Sequence, residues 1–85
     1  MSKDLKTKYT LHLTVRNKSG TLVRCAQIYS RRGHNIESLE VATKNKQQDL
    51  TIMSITAFGD RNSYRQIVAQ LNRLIDVLEV KQGEE

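Results

Sequence analysis

The chain has 85 residues, which is enough for one small domain. A domain of this size buries only about 60 % of the surface of its unfolded chain, so pairing with a second copy adds much to its stability, and we expect an oligomer. Its 14 lysine and arginine residues outnumber 9 acidic ones, a balance compatible with nucleic acid or an acidic partner. A single cysteine excludes an internal disulfide, and no apolar run is long enough for a signal peptide or a membrane span, which predicts a cytoplasmic protein.

The first part of the chain predicts a strand followed by a helix. Residues 1–8 are polar and lack periodicity, which indicates a flexible N-terminal arm. In residues 9–16 apolar and polar side chains alternate strictly, the period of a strand with one buried face. Apolar residues then recur at spacings of three and four, which predicts an amphipathic helix over residues 21–32 that ends at Gly33.

Two more strands follow Gly33 in the predicted order. Residues 35–43 and 50–58 have strand character, and the polar segment 44–49 joins them as a hairpin loop. In the later strand Leu50 and Ile52 lie on one face, and the other face is also apolar, which indicates a central strand.

A second helix and a last strand complete the prediction. Asp60 or Asn62 is expected to cap the helix, whose apolar residues recur at helical spacing. These residues are Tyr64, Ile67, Val68, Leu71 and Leu74. Residues 75–81 predict the last strand, and residues 82–85 a C-terminal tail.

The order β-α-β-β-α-β predicts an α+β, ferredoxin-like domain over residues 9–81. Two right-handed crossovers place both helices on one face of a four-stranded antiparallel sheet, with the second and fourth strands at its edges. Because the chain contains no proline to block edge pairing, the second strand is a candidate for joining a strand of a partner.

The junction between the first strand and the first helix, residues 17–22, is the candidate binding site. Gly20 allows close approach of a ligand, and the first N–H groups of a helix form an anion site that suits a carboxylate. The alternative is that Asn17, Ser19 and Gly20 only make a turn and cap the helix.

Other chemistry has little support in the sequence. Cys25 falls on the apolar face of the first helix and is expected to be a buried hydrophobe. His12 and His34 are expected at the surface, and neither has a second ligand at metal-binding spacing, so we predict no metal site. RNA binding by this fold requires aromatic residues on the central strands. The outward positions of the first strand carry no such aromatic residue. They are Thr10, His12, Thr14 and Arg16.

Three runs of sequence resemble the ACT domain of the regulatory (small) subunit of acetohydroxyacid synthase, also called acetolactate synthase. They are LTVRN at residues 13–17 leading to Ser19-Gly20, RGHNIESL at 32–39 and QLNRLIDVLEV at 70–80. The resemblance extends over residues 11–81, nearly the whole predicted domain, and the chain is similar to the short, single-domain forms.

The resemblance implies a non-catalytic regulator in branched-chain amino acid biosynthesis. Members of the family associate with a separate catalytic subunit and activate it, and thiamine diphosphate, Mg and FAD are expected on that subunit and not on this chain. An allosteric effector, a branched-chain amino acid with valine as the first expectation, binds between two ACT domains paired as a homodimer and causes feedback inhibition.

The resemblance also implies six effector-binding positions, the last two from the partner chain. They are Asn17, Gly20, Thr21, Leu22, Asn35 and Ile36. Two alternatives stay open from the sequence, a free-standing ACT amino-acid sensor for another enzyme and a small RNA-binding domain.

Overall fold

The computed structural model describes residues 7–83, so most of the predicted arm and the last two residues of the predicted tail lie outside the described part. Six elements follow in the predicted order. They are β1 Thr7–Val15, α1 Lys18–Arg31, β2 Asn35–Asn45, β3 Leu50–Gly59, α2 Arg61–Leu71 and β4 Val77–Gln82.

The four strands form one antiparallel sheet in the order β2-β3-β1-β4, which confirms the ferredoxin-like prediction. The strict alternation of β1 places Leu11, Leu13 and Val15 in the core, and their partners across the ladder on β3 are equally buried. Cys25 and Tyr29 of α1 and Ile67 and Leu71 of α2 cover this face, and the predicted central position of β3 is confirmed. No helix of residues 7–83 covers the opposite face of the sheet.

Both helices differ from their predicted extents, α1 mainly at its start and α2 at its end. α1 begins at Lys18, three residues before the predicted start, because its first i to i−4 bond runs from the Thr21 N–H to the Asn17 carbonyl at 2.9 Å. The sequence analysis places the start of the helix at residue 21 because apolar periodicity begins there, and the preceding polar turn lacks that signal. α2 ends at Leu71, and Leu74 and Ile75 lie in the turn before β4. Ile75, predicted to open the last strand, is 90 % exposed.

His34 is buried, so the prediction that it lies at the surface is wrong. The side chain is only 4 % exposed and its ring centroid lies 6.3 Å from that of Tyr9 and 6.2 Å from that of Tyr29. Nε2 lies 3.2 Å from the Asp60 carbonyl oxygen, and because a carbonyl only accepts, the proton of this bond is on Nε2. No local pattern indicates this burial, because His34 follows a helix-ending glycine as a surface turn residue would.

Gly59 is the residue that makes room for the His34 ring. A Cβ built at position 59 would overlap the imidazole. This close approach explains a glycine at the last position of β3, where a side chain would otherwise add sheet propensity.

We therefore expect Gly59→Ala to lower the free energy of unfolding by about 1–3 kcal/mol, the usual cost of inserting a methyl group into a filled site. Urea denaturation followed by circular dichroism measures this loss. In a His34→Ala background the same substitution has space, and most of its cost is expected to disappear in a double-mutant cycle. An equal cost in both backgrounds would contradict the proposed overlap.

Candidate functional site

The start of α1 carries the predicted anion site. Asn17 adopts the left-handed conformation, with φ 51 and ψ 62, and so turns the chain sharply from β1 into the helix. Its side chain makes no capping hydrogen bond. The backbone N–H groups of Lys18, Ser19 and Gly20 have no carbonyl four residues before them within the helix, and they are the donors that an anion would meet here.

Gly20 contributes space and not an unusual backbone. The residues with left-handed backbone at this end of the sheet are Asn17 and Asp49, whereas Gly20 has no positive φ. A Cβ at Gly20 would lie 2.8 Å from Nδ2 of Asn17, which is closer than real Cβ contacts. The Asn17 amide therefore lies against the first turn of α1, and a larger residue at position 20 would displace it.

Thr21 holds this turn together. Its side chain is 2 % exposed, and its hydroxyl donates a hydrogen bond of 2.7 Å to the Arg16 carbonyl. Its N–H donates to the Asn17 carbonyl. Both donors of Thr21 are thus engaged within the chain, and the residue fixes the relative position of the end of β1 and the start of α1.

Asp49 is a residue of this region that the sequence analysis missed. It ends the β2–β3 loop, and one carboxylate oxygen, Oδ2, accepts a hydrogen bond of 3.1 Å from the Asn17 N–H. The pairing of Val15 with Thr51 explains this proximity, because it brings the end of β1 and the start of β3 to the same end of the sheet. A sequence-level signal existed in the hairpin prediction, since that loop must return beside the end of β1.

Asn35 and Ile36 lie at the other end of α1. They begin β2 and, with Tyr29 and Gly33, line a shallow cavity of about 300 Å³. The 14 residues of α1 separate them from Asn17, a distance of about 20 Å along the helix. Within one chain, the six predicted site residues are therefore divided between two places, with Asn17 to Leu22 in one and Asn35 and Ile36 in the other.

An uncovered apolar surface connects these two places. β2 is an edge strand and all of its residues are exposed. Leu39 and Val41 pair with the core residues Ile55 and Met53, so they face the helix side of the sheet, yet they are 38 % and 43 % exposed. Exposed Val23 on α1 adjoins an open cavity of about 650 Å³.

The titratable groups nearby do not form a reactive centre in the described residues. Burial raises the pKa of the Cys25 thiol to about 11, so the thiol stays protonated and packs as a hydrophobe. The hydrogen bond from the Ser63 N–H lowers the pKa of Asp60, the residue that caps α2. Between residues 7 and 83 no cluster of three potential metal ligands occurs, and no helix is long and apolar enough to cross a membrane.

The family described as AHAS small subunit-like ACT domain matches residues 11–79 of the chain. A probable acetolactate synthase small subunit of Archaeoglobus fulgidus is 43 % identical, over 88 % of this chain and 46 % of the relative. The small subunit of acetolactate synthase isozyme 3 of Escherichia coli is 42 % identical, over 85 % of this chain and 44 % of the relative. The chain thus spans slightly less than half the length of these relatives.

A solved structure agrees with the sequence comparison. The crystal structure of an acetolactate synthase small subunit from Thermotoga maritima superposes with a TM-score of 0.72 at 29 % identity, covering 89 % of this chain and 47 % of that one. The ACT domain of a GTP pyrophosphokinase from Chlorobium tepidum has a TM-score of 0.74 at 13 % identity, which shows the shared fold alone.

The contacts of Thr21 generate a test of the turn. Thr21→Val keeps the shape of the side chain but leaves the Arg16 carbonyl without this donor, and we expect it to lower the free energy of unfolding by about 1–3 kcal/mol. Thr14→Val is the matched control, because Thr14 lies half-buried on the helix-free face of β1 and is expected to change stability little. Equal midpoints for both variants in urea would show that the Thr21 hydroxyl does not hold the turn.

Proposed function

The chain belongs to the family of AHAS small subunit-like ACT domains, and on this premise we propose that it is a regulatory subunit of acetohydroxyacid synthase. It activates a separate catalytic subunit, which carries thiamine diphosphate, Mg and FAD, and it binds a branched-chain amino acid, with valine as the expected effector, for feedback inhibition. The observation that carries the proposal is the division of the six predicted site residues between the two ends of α1.

A second copy of the chain reunites the two halves. In a two-fold symmetric dimer, two β2 edges pair antiparallel, the apolar side chains Leu39 and Val41 become covered, and the two α1 helices run in opposite directions. The start of α1 in one copy then lies near the start of β2 in the other. Asn17 and Gly20 of one chain thus face Asn35 and Ile36 of its partner.

The residues brought together suit an aliphatic amino acid. Its carboxylate is bound by the open N–H groups at the start of α1, where the helix dipole also favours negative charge. Leu22 and Ile36 supply an apolar wall for a branched side chain, and the amide oxygen of Asn35 accepts from the ammonium.

Regulation follows from the position of the ligand between two domains. A ligand that bridges two copies favours one relative orientation of them, and a catalytic subunit that binds one orientation more tightly responds by linkage. The helix-free sheet face is the proposed contact for that subunit. Ile52 lies on this face near the start of β3, half-buried and paired with Thr14 and Ala42 of the neighbouring strands.

The effector site is tested by Gly20→Asp. We expect this variant to lose valine binding in isothermal titration calorimetry, because the new side chain crowds the Asn17 amide and places a negative charge where the effector carboxylate binds. Asn62→Asp adds the same charge to the first turn of α2 and is expected to bind valine as the wild type does. Valine binding by folded Gly20→Asp would place the site elsewhere.

The partnership is tested by activity. Adding the wild-type chain to the catalytic subunit of acetolactate synthase from the same organism is expected to raise the rate of acetolactate formation. Ile52→Lys should abolish this increase by burying a charge in the contact, whereas Asn62→Lys, on exposed helix surface, should retain it. If the wild type itself neither binds nor activates that subunit, the chain is a sensor for another enzyme; if Ile52→Lys activates normally, the contact lies on another surface.

A further inference from the structure

The carboxylate of Asp49 lies at the start of α1, in direct contact with a residue of the proposed effector site. Oδ2 accepts the Asn17 N–H at 3.1 Å. The loop that carries it is internally held, with the Asp49 N–H donating to the Lys46 carbonyl at 3.2 Å and the Gln48 N–H donating to Oδ1 of Asn45 at 3.1 Å. The φ of 57 at Asp49 is a conformation that aspartate and asparagine adopt more readily than other side chains.

This carboxylate has no cationic partner within residues 7–83. The ion pair in the described part joins Lys81 to Glu79 on β4, the opposite edge strand from β2, and Asp49 takes part in none. One oxygen of Asp49 is engaged by a backbone N–H, and the other has no hydrogen bond from the described residues. A solvent-exposed carboxylate therefore lies beside the N–H groups that are proposed to bind the carboxylate of the effector.

A ligand that is only an anion is disfavoured in this arrangement. Its carboxylate would be attracted by the open N–H groups of Lys18, Ser19 and Gly20 but repelled by the adjacent Asp49. An α-amino acid avoids this conflict because its ammonium is attached to the carbon next to its carboxylate. One charged group can meet the helix N-terminus while the other meets Asp49.

We propose that Asp49 binds the ammonium of the effector together with the amide oxygen of the partner's Asn35, and that its charge makes the site select α-amino acids over 2-oxo and 2-hydroxy acids of the same carbon skeleton. This inference rests on the proposed function, because it assigns a specificity-determining residue to the same site. The apolar wall distinguishes between side chains but not between an ammonium, an oxo group and a hydroxyl on the α-carbon. The charge of Asp49 distinguishes between these groups. A regulator with this residue responds to the amino acid and ignores its 2-oxo counterpart.

The test compares two ligands that differ only at the α-carbon. The 85-residue chain, after its dimeric state has been checked, is titrated at pH 7 and low salt with L-valine and with 3-methyl-2-oxobutanoate. In the wild type we expect the 2-oxo acid to bind at least about tenfold more weakly than valine, since a charge-assisted hydrogen bond is replaced by repulsion. The difference should shrink as added salt shortens the screening length.

Asp49→Asn isolates the charge. Asparagine keeps an acceptor for the Asn17 N–H and tolerates the left-handed backbone, so the turn is retained. In this variant valine is expected to bind about tenfold more weakly and the 2-oxo acid no more weakly than in the wild type. Glu79→Gln removes the same charge from β4 and is expected to leave both affinities unchanged.

Each result decides between distinct conclusions. Unchanged valine affinity in Asp49→Asn overturns the role of Asp49 and leaves the proposed site intact. Tighter valine binding in that variant also overturns it, because Asp49 would then compete with the effector for the helix N-terminus. If folded, dimeric wild type binds neither valine, leucine nor isoleucine, the proposed effector site itself fails.

Discussion

The exposed edge of the sheet is the constraint on which the functional account depends. Helices cover the inner side of β1 and β3, but β2 stays exposed along its whole length, although Leu39 and Val41 lie on the same side of the sheet as the core. An edge strand with apolar side chains and unpaired backbone groups is a template for another strand. In a small domain, covering this edge also adds buried apolar surface that one chain does not supply. In the proposed function, dimerisation and ligand binding therefore both depend on the exposed edge strand β2.

The turn at Asn17 determines what the proposed site can bind. Its left-handed backbone starts α1 directly after β1, and the buried Thr21 hydroxyl fixes that arrangement through the Arg16 carbonyl. The result is a set of open N–H donors beside a fixed carboxylate, that of Asp49. Positive and negative binding groups thus lie side by side, as the two charges of a zwitterion require. In the proposed function, the same short stretch serves both as the structural turn and as the binding surface.

Much of the fold was predictable because simple periodicity determines it. The alternation of residues 9–16 and the two-sided apolar character of β3 predicted the buried face and the central strand, and the structure confirms both. Asp60, one of the two caps predicted for α2, accepts the Ser63 N–H at 3.0 Å. These features depend on local sequence, for which strand and helix periods and capping chemistry are sufficient.

The features that were missed depend on contacts between distant residues. His34 is buried because Gly59 leaves space for its ring. The residues around His34 in the sequence do not indicate that position 59 packs against it. Asp49 reaches Asn17 through the pairing of β1 with β3, a relation that spans 32 positions. The start of α1 was misplaced because its first turn is polar. For the candidate site, the sequence indicated the residues through a family resemblance, whereas the structure shows their separation within one chain.

A mixed-dimer titration tests most directly whether two copies share each effector site. Gly20→Asp and Asn35→Ala chains, each lacking sites of wild-type affinity as a homodimer, are mixed after dissociation and titrated with valine. A shared site predicts that sites of wild-type affinity reappear, about a quarter of all sites for random pairing, because one site in each mixed dimer contains neither substitution. If each site lay within a single chain, every site would carry a substitution, and no wild-type affinity would return.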